Sequence, residues 1–392
     1  MTRTHRALLG LAVATAVVAT ACGSSTSSSG SATTAGAAAT TAAASPTTAG
    51  AATTAGAATT AAGATTTAGA AATPVSLDTN GDGKVVIGVA TPGPRNDGAY
   101  YQALVDGITK FSKDNKYADP IIVDNIKAEE AATQLDSLAR QNVDMIAVGA
   151  GELGDPLKDL TAKYPKIIWY CNCGAGHEAL PNLIQSGDDG SEISFTAGYA
   201  TGLLMKAKGA TSAAMIGNNN FNFEQEAFQA MALGLKAVDP TFTWTYVPTN
   251  SFNDVAAATE AFNTLKSKGI GAVYPYLGGA HEAVVKLADE ANVIVMSAGA
   301  SKACARTDLK YDIAVRFDAG DYLDTILSEI KSGKLQRGQT RAFKVGVDPQ
   351  PGAVICKPTA DQTAAMAAVY KDIAAGKYAD QFFAIKKAVY KF

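Results

Sequence analysis

The chain has 392 residues, with 33 Lys and Arg against 36 Asp and Glu, a formal net charge of -3 and only 7% aromatic residues. A weakly acidic chain lacks the basic face that nucleic acid demands, and no apolar run reaches the ~20 residues of a membrane span. The charge argues against a nucleic-acid-binding protein, and a multi-pass membrane protein and a small disulfide-stapled domain are excluded.

Residues 1–21 are basic and then apolar. Arg3, His5 and Arg6 precede an apolar stretch at 7–21, too short to span comfortably and shaped like a secretory signal. It ends Val18-Ala19-Thr20-Ala21-Cys22-Gly23. Small residues ahead of a Cys resemble the lipobox of bacterial lipoproteins, with Ala19 where that pattern usually has Leu. Cys22 is thus the expected lipidation site, its thiol diacylated and its amine the new N-terminus; two acyl chains anchor stably where one does not. A plain Ala-Thr-Ala cleavage site beside an incidental Cys is the alternative. Residues 23–77 hold no charged residue and are almost wholly Ala, Thr, Gly and Ser. Such a segment cannot bury enough apolar surface to offset ordering entropy. It reads as a tether, with a coil reach of roughly 40 Å.

Residues 78–392 hold every Asp and Glu. A segment of that size is enough for two lobes rather than one core. After the turn-rich Asp78-Thr79-Asn80-Gly81-Asp82-Gly83, apolar runs alternate with helical patterns. Strands are expected at 84–90, 120–123, 144–148 and 166–170, helices at 97–115, 128–141 and 155–164, and an edge strand at 183–185. A long helix at 192–208 leads to a second set: strands at 212–216, 243–247, 272–274 and 293–296, helices at 223–238, 254–268 and 279–291. The last stretch adds strands at 313–317 and 343–347 and helices at 319–332 and 360–374. This alternation implies an α/β fold of two Rossmann-like lobes with parallel sheets joined by a hinge. The lobes are expected at 78–190 and 191–297, with 298–392 completing both.

Ligands of such sheets bind outside the carboxyl ends of the strands. The strand-exit loops supply the candidate ligand-binding residues Asn96, Asp97, Gly149, Glu152, Cys171, Asn219, Phe221, Gly278, Gly279, His281 and Ser297. Asp97 sits near a helix start, where its carboxylate can also cap free N–H groups. Tyr100 and Tyr101 follow one turn later; two adjacent Tyr do not both face one core, so at least one is expected in the cleft. The chain has three His, and His177 and His281 stand alone, without the paired spacing of a zinc site. No Gly-x-Ser-x-Gly elbow, phosphate-binding loop or dinucleotide fingerprint follows the first strand. No catalytic constellation, metal or cofactor is expected. For the Cys of an exported chain, disulfides are favoured. Cys171 and Cys173 are too close along a strand end to bridge readily, so Cys304 is expected to pair with Cys356 or Cys173.

The motifs and their order resemble the basic membrane protein (BMP) family of substrate-binding lipoproteins of ABC transporters, several of which bind purine nucleosides. Asn96-Asp-Gly-Ala-Tyr-Tyr-Gln-Ala-Leu-Val-Asp-Gly107 is similar to the family's first loop and helix, and Gln134-Leu135 through Asp144 to its second helix. Gly187 to Leu203 resembles its lobe-crossing helix, Ala232 to Pro240 and Ser251-Phe-Asn-Asp254 its later motifs, and Gly278-Gly279 its Gly-rich loop. The resemblance implies a periplasmic-binding-protein type I fold, a monomer at the extracytoplasmic face of the cell membrane, a small-molecule ligand and an ABC permease as partner. It places Tyr100 where the family has a stacking Phe, Tyr101 where it has Asn, and Arg316 where it has a Lys. The carboxylate that contacts ribose hydroxyls in nucleoside binders is missing from Ser297-Ala-Gly-Ala300. The implied function is capture of a small polar or aromatic ligand, nucleoside-like above others, by lobe closure. A surface sensing module and, more remotely, an extracytoplasmic hydrolase are the alternatives.

Overall fold

The computed structural model describes residues 75–98, 100–173 and 179–391. The leader, Cys22, the tether up to residue 74 and His177 lie outside the described residues. The chain begins β1 (Ile87–Ala90), α1 (Tyr100–Asp114), β2 (Ile121–Val123), α2 (Ala131–Ala139), β3 (Met145–Val148), α3 (Leu157–Lys163), β4 (Ile168–Cys171) and β5 (Leu183–Asp188). The long α4 (Gly190–Lys208) then leads to β6 (Ser212–Gly217), α5 (Asn222–Val238), β7 (Thr243–Pro248), α6 (Val255–Ser267), β8 (Ala272–Pro275), α7 (His281–Glu290) and β9 (Ile294–Val295). The return consists of β10 (Ile313–Arg316), α8 (Ala319–Lys331), β11 (Thr340–Phe343), β12 (Gly352–Ile355), α9 (Ala360–Ala374) and α10 (Ala379–Tyr390).

Two sheets result. The first has the order β11-β5-β4-β3-β1-β2 with every pairing parallel. The second runs β7-β6-β8-β9, also parallel; a bridge from Met296 to Ile313 carries it to β10, where β12 adds an antiparallel strand. Side chains alternate strictly between the faces. In β3, Met145 and Ala147 join one core with Ile87, Val89 and Tyr170, while Ile146 and Val148 join another with Leu135, Leu138 and Trp169. The second sheet divides in the same way: Met215 and Tyr274 face one core, Ile216 and Val273 the other. Parallel sheets need both faces covered, and these helices cover them.

The return segments pack on elements of both sheets. α8 packs on α1 beside the first sheet, β11 pairs with β5, and α9 and α10 pack on α4. Consequently β5 lies between β4 and β11 and is not the edge strand expected. β11 precedes the strand expected at 343–347, and neither β12 nor α10 was legible in the apolar pattern. Asp144, fully buried at the start of β3, accepts from Thr79 N (2.8 Å), Asn80 N (3.3 Å) and Val86 N (2.9 Å), which pins the turn-rich segment to the sheet.

α4 and α5 cross backbone to backbone. A Cβ on Gly198 would lie 2.8 Å from the Met231 carbonyl carbon, and one on Gly234 would lie 2.7 Å from Tyr199 N and closer still to the Phe195 carbonyl oxygen.

Cys304 pairs with Cys356, one of the two partners expected. Cys171 pairs with Cys173, against expectation. Two extended residues span about 6.6 Å, but the chain turns as it leaves β4 and brings these Cα atoms to 5.1 Å, within disulfide range.

Candidate functional site

A cavity of about 930 Å³ lies where the carboxyl ends of the strands in both sheets converge. On the side of the first sheet, Asp97 accepts from Tyr101 N (3.3 Å) and Gln102 N (3.0 Å), so it holds the first turn of α1 while lining the cavity. Both Tyr100 and Tyr101 line it, because the start of α1 points into it; their rings meet edge to face at 5.7 Å. Tyr101 also fills the space over Gly93, where a Cβ would overlap its ring. Glu152 comes from the turn after β3, and Asn172 and Cys173 from the turn after β4. Asp188 ends β5; burial pushes its carboxyl up to about 6. Asp189 beside it caps α4 through Ser191 N (3.1 Å) and Glu192 N (3.2 Å), and receives Lys386 Nζ at 2.5 Å.

On the side of the second sheet, the Glu224 carboxylate accepts from Asn218 N (2.6 Å), Asn219 N (3.3 Å) and Phe221 N (2.9 Å) and shapes the turn into α5. Asn220 there is left-handed, with φ of 57°, a conformation Asn tolerates better than most residues. That turn presents Phe221 and Phe223, stacked at 5.6 Å and still 47% and 39% exposed. Phe252 packs on both, at 6.1 and 6.2 Å. Tyr276 follows β8 and touches Phe223 (6.0 Å), Tyr274 (5.1 Å) and Phe317 (5.9 Å). Phe317, just after β10, reaches Tyr100 at 6.4 Å, so one aromatic wall runs from the first half to the second. Glu226 of α5 is buried and accepts from Ser191 Oγ (2.7 Å) and Tyr390 Oη (2.8 Å), which joins α5, α4 and α10 at the cavity.

Of the residues singled out from the sequence, Asp97, Tyr100, Tyr101, Glu152, Phe221 and Gly278 line this cavity. The others do not, for identifiable reasons. Asn96 is exposed beside it. Gly149 is packed by Leu104, which a Cβ would overlap. Cys171 is buried in its disulfide, and Asn219 is held through its backbone by Glu224. Gly279 N is occupied by Asn253 Oδ1 at 2.7 Å. Ser297 Oγ donates inside the fold to Ala300 O (3.1 Å). Arg316 turns to β12 and α9, donating to Gly352 O (3.1 Å) and Tyr370 Oη (3.4 Å).

His281 is buried, with its ring nitrogens 2.7 Å from Pro275 O and 3.2 Å from Tyr311 Oη. Burial lowers its pKa to about 4. Between the ordinary 6.5 and that value the unfolded chain takes up a proton the folded chain refuses, so this residue's contribution to stability is lost as pH falls through that window. The difference corresponds to about 3 kcal/mol. Asp188 and Glu192, raised by burial to about 6 and about 7, act in the opposite sense, because the folded state holds their protons longer. Both proteins of a wild-type against His281→Gln comparison share those carboxylates. Denaturant titrations from pH 7 to pH 4 should therefore show the native protein losing stability relative to the variant; parallel profiles would show that His281 titrates normally.

Asn172, Phe223, Phe252 and Tyr276 also line the cavity, and the sequence signal for them is their position in the loop after a strand. Asp188, Glu226 and Tyr390 were missed, since they come from a strand end, a helix interior and an unread helix.

A family model, Bmp, described as ABC transporter substrate-binding protein PnrA-like, matches residues 84–344. Among solved structures, the chain is similar to an ABC transporter solute-binding protein from Conexibacter woesei DSM 14684, at 18% identity over 75% of this chain and 97% of that one, with a TM-score of 0.58. An ABC transporter solute-binding protein from Aeropyrum pernix K1 matches at 13% identity over 78% and 92%, with a TM-score of 0.61. A transcriptional activator of the comK gene from Bacillus halodurans matches at 13% identity over 73% and 96%, with a TM-score of 0.58. Likeness at such identities establishes the fold, which several functions share.

Proposed function

Because the chain belongs to the Bmp family of ABC transporter substrate-binding proteins, we propose that it is a lipid-anchored, monomeric extracytoplasmic receptor that captures one small ligand by lobe closure and delivers it to an ABC permease. The ligand has a planar ring with polar edges, nucleoside-like in shape. The observation that carries this reading is the aromatic wall from Tyr100 through Phe317 and Tyr276 to Phe223, contributed by both halves of the fold. Aromatic faces suit a ring, and Asn172, Asn220 and Asn222 supply donors and acceptors for its edges. Phe221 and Phe223 are exposed at the rim, where closure would cover them.

Ligand selects the closed state because only there do both walls contact it. Scattering from apo and ligand-saturated protein should show a smaller radius of gyration with ligand and one protein mass. An unchanged radius with binding confirmed would overturn closure. The anchor has its own test: Cys22→Ala should leave the protein unprocessed or released from the membrane. A variant that is cleaved normally and stays bound would remove the lipid from the account.

A further inference from the structure

Four carboxylates line the cavity, Asp97, Glu152, Asp188 and Glu226, and its described lining holds no Lys, Arg or His. Three of the four face donors of the protein itself: Asp97 holds backbone amides of α1, Glu226 takes the hydroxyls of Ser191 and Tyr390, and Asp188 faces the Tyr322 hydroxyl. Glu152, Asp188 and Glu226 have no ion-pair partner among the described residues. Lys386 is paired with Asp189, the residue beside Asp188. Hydroxyl and amide donors satisfy a carboxylate's lone pairs, but they leave its charge in place. In a cavity that sheds water that charge is costly unless a cation meets it.

The aromatic rings stand among these carboxylates. The Tyr100 hydroxyl, already raised by burial, is raised further by Asp188 and Glu152, and the Tyr276 hydroxyl by Asp188 and Glu226. Ring faces attract cations as carboxylates do, and more strongly when water is excluded. The carboxylates do not converge as metal ligands would: among the described residues no three such side chains are placed to share an ion. An acidic chamber with aromatic walls is complementary to a positive charge spread over an organic group.

We propose that the ligand is an organic cation, an amine or a positively charged ring, whose charge is met by Glu152 and Asp188 and whose face is met by Tyr100, Tyr276 and Phe223. The inference rests on the solute-receptor reading above and adds the charge of the solute.

The test is titration calorimetry of the full chain with probes matched in shape and different in charge. The pairs are 1-methyladenosine against adenosine, tryptamine against tryptophol and indole-3-acetate, and choline against 3,3-dimethylbutan-1-ol. In at least one pair the cation is expected to bind tenfold or more tighter than its neutral partner, and the anion not to bind. Glu152→Gln and Asp188→Asn should each reduce that preference severalfold while leaving the weak affinity for the neutral partner within about twofold. Both variants keep the size of the side chain, and circular dichroism with unfolding midpoints separates a folding defect from a binding one. Should a neutral or anionic probe bind as tightly as its cation, the charge assignment falls while the receptor reading stands. Should no cation bind at millimolar concentration, the charge assignment falls as well; the receptor reading then depends on scattering with whatever solute does bind. A preference for the cation that survives both variants would overturn the role of these two carboxylates.

Discussion

Gly234→Ala should destabilise the protein by about 2 kcal/mol or more, although Ala is the better helix former. Helix propensity alone favours Ala over Gly by about 1 kcal/mol in a helix interior. Against that stands the crossing with α4, where the added methyl would lie 2.7 Å from Tyr199 N and nearer to the Phe195 carbonyl oxygen. Both obstacles are backbone, so no rotamer change relieves them and the helices must move apart. Overpacking of this kind typically costs about 1–3 kcal/mol and occasionally more, and separating α4 from α5 also opens gaps around Phe195 and Met231, both fully buried. The measurement is urea unfolding: a lower midpoint at unchanged slope is expected. A raised midpoint would mean that propensity wins and that the crossing is loose. Gly209→Ala gives no such clash, since no atom lies within 4 Å, but its left-handed φ of 69° penalises a side chain by another route.

Tyr276→Ala should weaken binding of the best probe about thirtyfold. The ring sits at the middle of the aromatic wall, in contact with Phe223, Tyr274 and Phe317. Central buried aromatics of a binding site commonly cost about 2 kcal/mol or more when truncated, and 1.4 kcal/mol is tenfold. Tyr100→Ala, nearer the end of the wall, should cost about tenfold. Phe262→Ala provides the contrast. Phe262 is fully buried on α6, away from the cavity lining, so its loss should cost about 3–5 kcal/mol of stability and leave affinity intact. Equal affinities for native protein and Tyr276→Ala, with stability lowered, would assign that ring to the core.

The sequence carried the fold because the physics of parallel sheets is local and periodic. Val89 and Ala90, or Met215 and Ile216, declare strands by being apolar on both faces, and the intervening helices by their spacing. The site was legible only where chemistry follows a strand directly, as for Asp97, Tyr100 and Phe221. β5 was cut short because Ser186 and Gly187 interrupt its apolar run; yet Ser186 is buried, its hydroxyl 2.7 Å from Tyr170 Oη, so a polar residue there belongs to the sheet. Ending that strand early concealed Asp188. Glu226 and Tyr390 meet across 164 positions, and no local pattern announces such a contact. His281 was expected among the ligand-binding residues because it follows a strand, whereas its partners are the Pro275 carbonyl and Tyr311, thirty positions on.

α10 is tied into the core, with Phe382 buried against Phe195 at 5.5 Å, yet it lies outside the segment that the family match covers. The family match ends at residue 344, and Tyr390 lines the cavity from beyond it. Substitutions along this terminal helix can therefore reshape one patch of the chamber while the matched segment, with both sheets' ligand loops, stays as it is. A chimera that receives its last helix from another chain would have to give Glu226 a new hydrogen-bond donor in place of Tyr390.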